Sequence, residues 1–230
     1  MNVKLSDNSI RQLPFEKPRF GYVKFLARPL RRFALQWHGL GSRTQIVATP
    51  PDFESLALPL AAILRARALD VSCSCVWPSL RLVGKEMKTE IAPISMSYDE
   101  SPLDDENTDL ILVSSIVDTT TQIESMLSYA HPISEMKYRS ISVFVPFAQQ
   151  GALREFRLAL RESELDTFAW QNSFQFSEES KERLHLSVNT WIAAALNLPS
   201  PEAVKSYFPR SVTAHLNEQP RPEISSTPEP

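Results

Sequence analysis

Between residues 44 and 198 this 230-residue chain alternates short apolar runs with longer amphipathic ones, and that rhythm narrows the possible folds more than any other feature. QIVAT (45–49), VSCSCVW (71–77), DLILV (109–113), SISVFVPF (140–147) and DTFAW (166–170) have the length and apolar content of strands. Stretches with helical spacing separate them. ESLALPLAAILRARALD follows Asp52 as a candidate N-cap, and a helix from about Thr121 to Tyr129 has Asp118 or Thr119 as candidate caps. QGALREFRLALRES (150–163) and SEESKERLHLSVNTWIAAALNL (177–198) follow, the latter with Ser177 as cap and Leu184, Val188, Trp191, Ile192 and Ala195 near helical spacing. A strand, helix, strand order implies right-handed parallel crossovers. The expected fold class is α/β, an open and mainly parallel sheet with flanking helices. Pro50 and Pro51 force a turn after the first strand, and Pro59 is expected to kink the helix that follows. RLVGKEM and TEIAPISMSY (81–98) are expected to pair as a flap or hairpin, and DESPLDDENTD (99–109), with six acids and no base, to form a solvated loop.

Composition divides the chain into three parts. Residues 1–43 form a basic aromatic arm: residues 1–40 carry eight Lys or Arg against Asp7 and Glu16, with Phe15, Phe20, Tyr22, Phe25, Phe33 and Trp37 interleaved. Such a segment can stack bases and neutralise phosphates, which makes Arg28, Arg31, Arg32 and Trp37 candidate partner contacts. It can equally pack across the core with its cations in water. Residues 44–198 are the α/β core with its C-terminal helix. Residues 199–230 read as a proline-rich, largely disordered tail, most clearly in EQPRPEISSTPEP from Glu218, which has too few apolar residues to offset the entropy of ordering.

The formal net charge of −3 argues against a chain that coats nucleic acid over its whole surface. No segment has the roughly 20 apolar residues needed to span a bilayer. The first 30 residues show no secretory pattern, so the expected location is cytoplasmic. Cys73 and Cys75 sit one residue apart on one strand face and are expected to be buried thiols. His38, His131, His185 and His215 are scattered without metal-ligand spacing, and no metal site is expected. Neither a Walker loop nor a dinucleotide glycine pattern occurs.

The chemistry concentrates in ILVSSIVDTTTQI (111–123), where an apolar strand runs into serines, one acid and three threonines. In an open α/β sheet, ligands gather at the carboxyl ends of strands. Ser114, Ser115, Asp118, Thr119, Thr120 and Thr121 are therefore candidate ligand contacts, with hydroxyls and helix N-terminal amides suited to a phosphate. The plain alternative is a capped turn from strand to helix.

This stretch resembles the phosphate loop of the type I phosphoribosyltransferases, above all the purine-salvage kind. In that family the strand is followed by two acids, two apolar residues, then Asp-Thr-Gly and a hydroxyl residue. Here LILV is followed by Ser114 and Ser115 at the acid positions, Ile116, Val117, Asp118 and Thr119, with Thr120 at the glycine position. The order and spacing of elements over about 44–170 agree more loosely. The resemblance implies a phosphoribosyltransferase-like fold, Asp118 as the general base of any active member, and threonine hydroxyls for the 5-phosphate.

The departures from that pattern each remove a function. Serines carry no charge for the ribose hydroxyls or for magnesium, whose preferred ligands are hard oxygens. A β-branched threonine opposes the positive φ that glycine allows. The pyrophosphate loop reads TPPDFES, with Asp52 and Glu54 where an anion should sit. The reading that follows is a catalytically inactive phosphoribosyltransferase-like protein that acts by binding a macromolecule, as a regulator or inhibitor. A protein partner is expected, with the arm, the acidic loop and the 177–198 helix as contact surfaces. No catalytic residue and no cofactor are expected. The alternatives are a divergent phosphoribosyltransferase or nucleotide-binding enzyme, which would use Asp118, magnesium and phosphoribosyl pyrophosphate, and a nucleic-acid-binding protein that uses the arm.

Overall fold

The computed structural model describes residues 3–4, 18–41, 43–79, 81–83, 89–101, 107–130, 138–161 and 168–218. Its centre is a sheet in which β2 (Arg43–Ala48) lies between β3 (Asp70–Pro78) and β7 (Thr108–Val113). On the β7 side follow β9 (Ser140–Gln149), β10 (Phe168–Phe176) and the two-residue edge strand β1 (Val3–Lys4). On the other side β6 (Ile94–Asp99) closes the sheet, and it alone of these pairings is antiparallel. The short β8 (Ile116–Val117) continues the pairing onto the end of β9. The mainly parallel α/β sheet expected from the sequence is the one observed. The 81–98 region contains the expected hairpin, β4 (Arg81–Val83) against β5 (Thr89–Ile91).

Alternate residues of the central strands serve two cores, as a sheet covered on both faces requires. Ile46, Ala48, Cys73, Cys75, Ile111, Val113, Phe144 and Phe147 face one core. Val47, Val76, Leu110, Leu112, Val143 and Val145 face the other. Helices α1 (Pro18–Gln36), α3 (Leu58–Arg65), α6 (Lys181–Leu196) and α7 (Arg210–Glu218) cover the first. The second lies under α4 (Thr121–Ala130) and α5 (Ala152–Arg161). The two cysteines are buried and unbridged in the first core. Burial pushes the Cys73 thiol up to about 12 and the Cys75 thiol up as well, so both are inert apolar fillers.

The turn after β2 enters a helical turn, α2 (Pro50–Asp52), then a π-helical stretch, Phe53–Ala57, before α3. Pro59 explains the irregularity: it has no N–H for the carbonyl of Ser55 four residues earlier, and a wider turn accommodates the gap. Asp52 lies inside this first turn, and Thr49 takes the cap position proposed for Asp52.

Two segments that composition sets apart join the first core. From α1 onward the arm takes the packed alternative: Leu26, Leu30, Phe33, Ala34 and Trp37 recur at helical spacing and are buried there. The Arg67 guanidinium donates to the carbonyls of Ala34 and Trp37 and closes the end of this helix. The chain also stays ordered past residue 199. A 3₁₀ segment, Pro201–Ser206, and α7 follow, anchored by Val204, Tyr207 and Val212. Only from 219 onward does the proposed tail lie outside the described residues.

Residues 102–106 of the expected acidic loop lie outside the described residues, and the acids at its two ends make structural contacts. Asp99 accepts from the hydroxyls of Ser74 and Tyr129, the latter at 2.6 Å. Glu100 pairs with Arg65 at 2.6 Å and accepts from the Cys73 amide at 3.0 Å. Asp109 is buried and accepts from the Gly41 amide at 2.7 Å. Gly41 has no room for a side chain, because a Cβ there would stand 2.2 Å from the Asn107 carbonyl oxygen.

Glu54 fastens α7 to the β2 turn. Its carboxylate accepts from the amide and hydroxyl of Ser211, at 2.8 and 2.9 Å, and from the Tyr207 hydroxyl. It therefore caps a helix more than 150 residues away in sequence and complements its dipole. Glu54→Ala is expected to cost about 1–2 kcal/mol in urea denaturation, the usual loss of a cap with its hydrogen bonds. Amide exchange should show lost protection in α7 before any in the central strands.

Candidate functional site

A cleft of about 530 Å³ opens at the carboxyl ends of β2, β3 and β7. The turn after β2 (Thr49 to Asp52), the end of β3 (Trp77, Pro78) and residues 114–119 after β7 form its floor and sides. Gln122 from α4, His185, Asn189 and Ile192 from α6, and Val204, Lys205 and Tyr207 from the segment before α7 complete the lining. β2 and β7 pair directly, yet the chain leaves β2 toward β3 and leaves β7 toward β9. Their loops diverge, and a crevice is forced between them.

The residues after β7 are held more tightly than a phosphate cradle would be. The Ser114 amide donates to the Phe144 carbonyl at 3.1 Å, and Ile116 and Val117 pair with Phe147 and Ala148 in β8. Ser114 and Ser115 are buried, and the Ser114 hydroxyl donates to the Ile116 carbonyl at 3.0 Å. No residue of 114–120 adopts a left-handed backbone, Thr120 included. Thr120 contributes its carbonyl to the first turn of α4, accepting from the Glu124 amide at 2.8 Å. Thr121 opens α4 and its carbonyl accepts from the Ser125 hydroxyl. Of the six hydroxyl and acid candidates, the structure brings Ser114, Ser115, Asp118 and Thr119 to the cleft, while Thr120 and Thr121 are not in its lining.

Asp118 is clamped by α6. Its Oδ2 lies 3.0 Å from Lys181 Nζ and 3.3 Å from His185 Nε2, the latter off the line of a hydrogen bond, and its Oδ1 accepts from the Thr119 amide at 2.8 Å. Burial pushes this carboxyl up, but His185, Lys181 and the Thr119 amide outweigh it and hold the group below the usual carboxylate range. Sequence reasoning missed Lys181 and His185 as partners of Asp118. A signal was present in their spacing, since i and i+4 share one face at the start of a helix.

Asp52 has the opposite environment. It is 3 % exposed, its Oδ2 accepts a long 3.4 Å bond from Thr49 Oγ1, the Ser115 amide and the Ser114 and Ser115 hydroxyls lie beside the carboxylate, and no cation among the described residues pairs with it. Burial pushes the carboxyl up to about 6, further than the Ser115 amide and the hydroxyls of Ser115, Thr49 and Ser114 draw it down. Glu54, the other acid of this turn, points to α7 and does not line the cleft.

The proposed partner contacts are split. Arg28, Arg31 and Arg32 are exposed on α1. Trp37 is only 8 % exposed and stacks on Phe33 with ring centroids 6.0 Å apart, so its face is used by the core and is not open to a base. His215 packs edge-on against Tyr98, His38 is exposed, and His131 lies outside the described residues. Among the described residues no cluster of three or more His, Cys, Asp or Glu is placed to hold a metal ion, and no helix is long and apolar enough to cross a membrane.

No protein-family model and no curated protein matches the sequence. By structure the chain is similar to hypoxanthine-guanine phosphoribosyltransferase of L. donovani, at 14 % identity and TM-score 0.42, over 65 % of this chain and 77 % of that one. It is also similar to the AQ2163 protein of Aquifex aeolicus, at 11 % identity and TM-score 0.48, over 77 % and 88 % of the two chains. A third similar structure is a purine phosphoribosyltransferase of Pyrococcus horikoshii, at 12 % identity and TM-score 0.36, over 76 % and 92 %.

The Asp52 environment makes stability depend on pH with a defined sign. The carboxyl titrates at about 6 in the fold against 3.8 ordinarily, so between those values the folded chain binds more protons than the unfolded one. Its contribution therefore favours folding below the lower value and is lost as pH rises through the upper one. Asp52→Asn is expected to stabilise the protein by up to about 3 kcal/mol at neutral pH. Urea denaturation at a series of pH values should show that gain shrinking to nothing toward pH ~4.

Proposed function

We propose that this chain is a phosphoribosyltransferase-like protein that transfers no phosphoribosyl group and acts by binding another macromolecule, as a regulator or inhibitor. The observation that carries this reading is the clamp on Asp118. A general base needs a free lone pair and an affinity for protons matched to working pH. Asp118 has both carboxylate oxygens engaged, and its pKa moves away from neutrality.

The remaining parts fit a phosphoribosyl pyrophosphate and magnesium site poorly. Ser114 and Ser115 offer buried hydroxyls at the positions where charged oxygens would be needed, and the Ser114 hydroxyl is bonded internally. Asp52 puts a buried acid with no cationic partner among the described residues beside the place where a pyrophosphate would lie, and like charges repel there. No reaction step is assigned to these groups.

For the macromolecular contact, α1 offers its outer face. Arg28, Arg31 and Arg32 recur at i, i+3 and i+4, so they project together, and Leu35 is exposed one turn on. This favours an acidic protein surface. The same three cations support a second reading, a nucleic-acid contact.

Two measurements test these readings. Titration calorimetry with phosphoribosyl pyrophosphate and magnesium is expected to show no saturable heat, whereas tight binding abolished by Asp118→Ala overturns the proposal in favour of an active enzyme. Titration of single-stranded and duplex DNA or RNA at low salt is expected to be flat. A steeply salt-dependent affinity weakened by the Arg28→Ala, Arg31→Ala, Arg32→Ala triple variant would make the partner a nucleic acid.

A further inference from the structure

We infer that the cleft at the strand ends is a binding site for a small organic cation, an amine or amidine, anchored by the Asp52 carboxylate. The site is of a size that holds a small molecule, about 530 Å³, and lies where the diverging β2 and β7 loops leave a crevice. Among its lining acids only Asp52 has no cationic partner among the described residues. Asp118 has Lys181 and His185, while Asp52 is buried beside neutral donors alone. A buried carboxylate without a counter-ion is costly, and a cationic ligand that pairs with it offsets that cost on binding.

The surrounding surface favours a cationic donor over an anion. Trp77 and Tyr207 line the same cleft, and their rings add attraction for an ammonium or amidinium group over their faces. The Trp77 ring is backed by Phe208 at 5.0 Å, and the Tyr207 hydroxyl donates to Glu54, which holds both aromatic walls in place. Of the basic residues nearby, Lys181 and His185 face Asp118, whose charge offsets theirs. Lys205 lines the cleft but is exposed, so solvent screens its charge. The inference concerns the cleft and not the α1 face, so it stands or falls separately from the macromolecular reading above.

The test uses the full chain at one neutral pH, with benzylamine and benzamidine as cationic probes and inorganic phosphate and pyrophosphate as anionic ones. Ligand-observed NMR or calorimetry should show the two cations binding saturably and competing with each other, with no displacement by either anion. Asp52→Asn should weaken them about tenfold or more, the loss expected when a charged hydrogen bond becomes neutral. Trp77→Ala should weaken them several-fold through the lost ring face. Because Asp52→Asn is expected to be at least as stable as the parent, weakened binding in that variant reports the site and not the fold. Absence of saturable cation binding, equal affinity in Asp52→Asn, or displacement of the cations by pyrophosphate overturns the inference. Binding of phosphoribosyl pyrophosphate with magnesium, measured separately, bears on the proposed loss of transfer and leaves the cation result to stand on its own.

Discussion

The structure depends on the parting of the chain at two strands that remain hydrogen-bonded neighbours. β2 and β7 run parallel and in register from Arg43 opposite Thr108 to Ala48 opposite Val113. Right-handed crossovers then place α3 on one face of the sheet and α4 on the other, because the next strands lie on opposite sides. The turns after β2 and β7 must therefore separate just where the sheet ends. The crevice between them follows from topology, whatever residues fill it, and α6 and the 204–207 segment wall it in from the face of the first core.

Most of this frame was legible because it rests on periodicity. The strands, the helices between them and the 81–98 hairpin follow from apolar spacing and turn residues, and their order alone implies the parallel sheet. Pro59 marked the irregular helix, although the result is a π-helical stretch and not a simple kink. Composition was a weaker guide. The 1–43 segment read as an arm because cations dominate it, but Leu26, Leu30, Phe33, Ala34 and Trp37 had already set a buried stripe at helical spacing. Residues 199–218 read as part of the tail through the proline-rich stretch that follows them, yet three anchors and a distant acid suffice to hold them.

What the sequence hid were the pairings across long separations. That Asp99 would meet Tyr129, that Glu54 would cap a helix at Ser211, and that Asp118 would meet Lys181 and His185 are consequences of which strand ends and helix starts converge. Propensity and local motif carry no information about such meetings. The hydroxyl-rich loop illustrates the limit: its residue types suggest a phosphate cradle, but backbone pairing to β9 consumes the groups that would cradle one.

The chemistry of the cleft then turns on how differently the fold treats two carboxylates. Asp118 is given a lysine, a histidine and an amide, so its charge is neutralised within the protein and projects little field into the cleft. Asp52 is given hydroxyl and amide donors but no cation among the described residues and is buried nearly completely, so its charge is disfavoured and uncompensated. An uncompensated buried group dominates the local potential, because low-dielectric surroundings strengthen each interaction it makes. The preference of the cleft is therefore set by the acid in the β2 turn and not by the hydroxyl loop after β7. That inverts what the loop's residue types suggest: the frame could be one for holding an anion, but the charge left open within it calls for a donor.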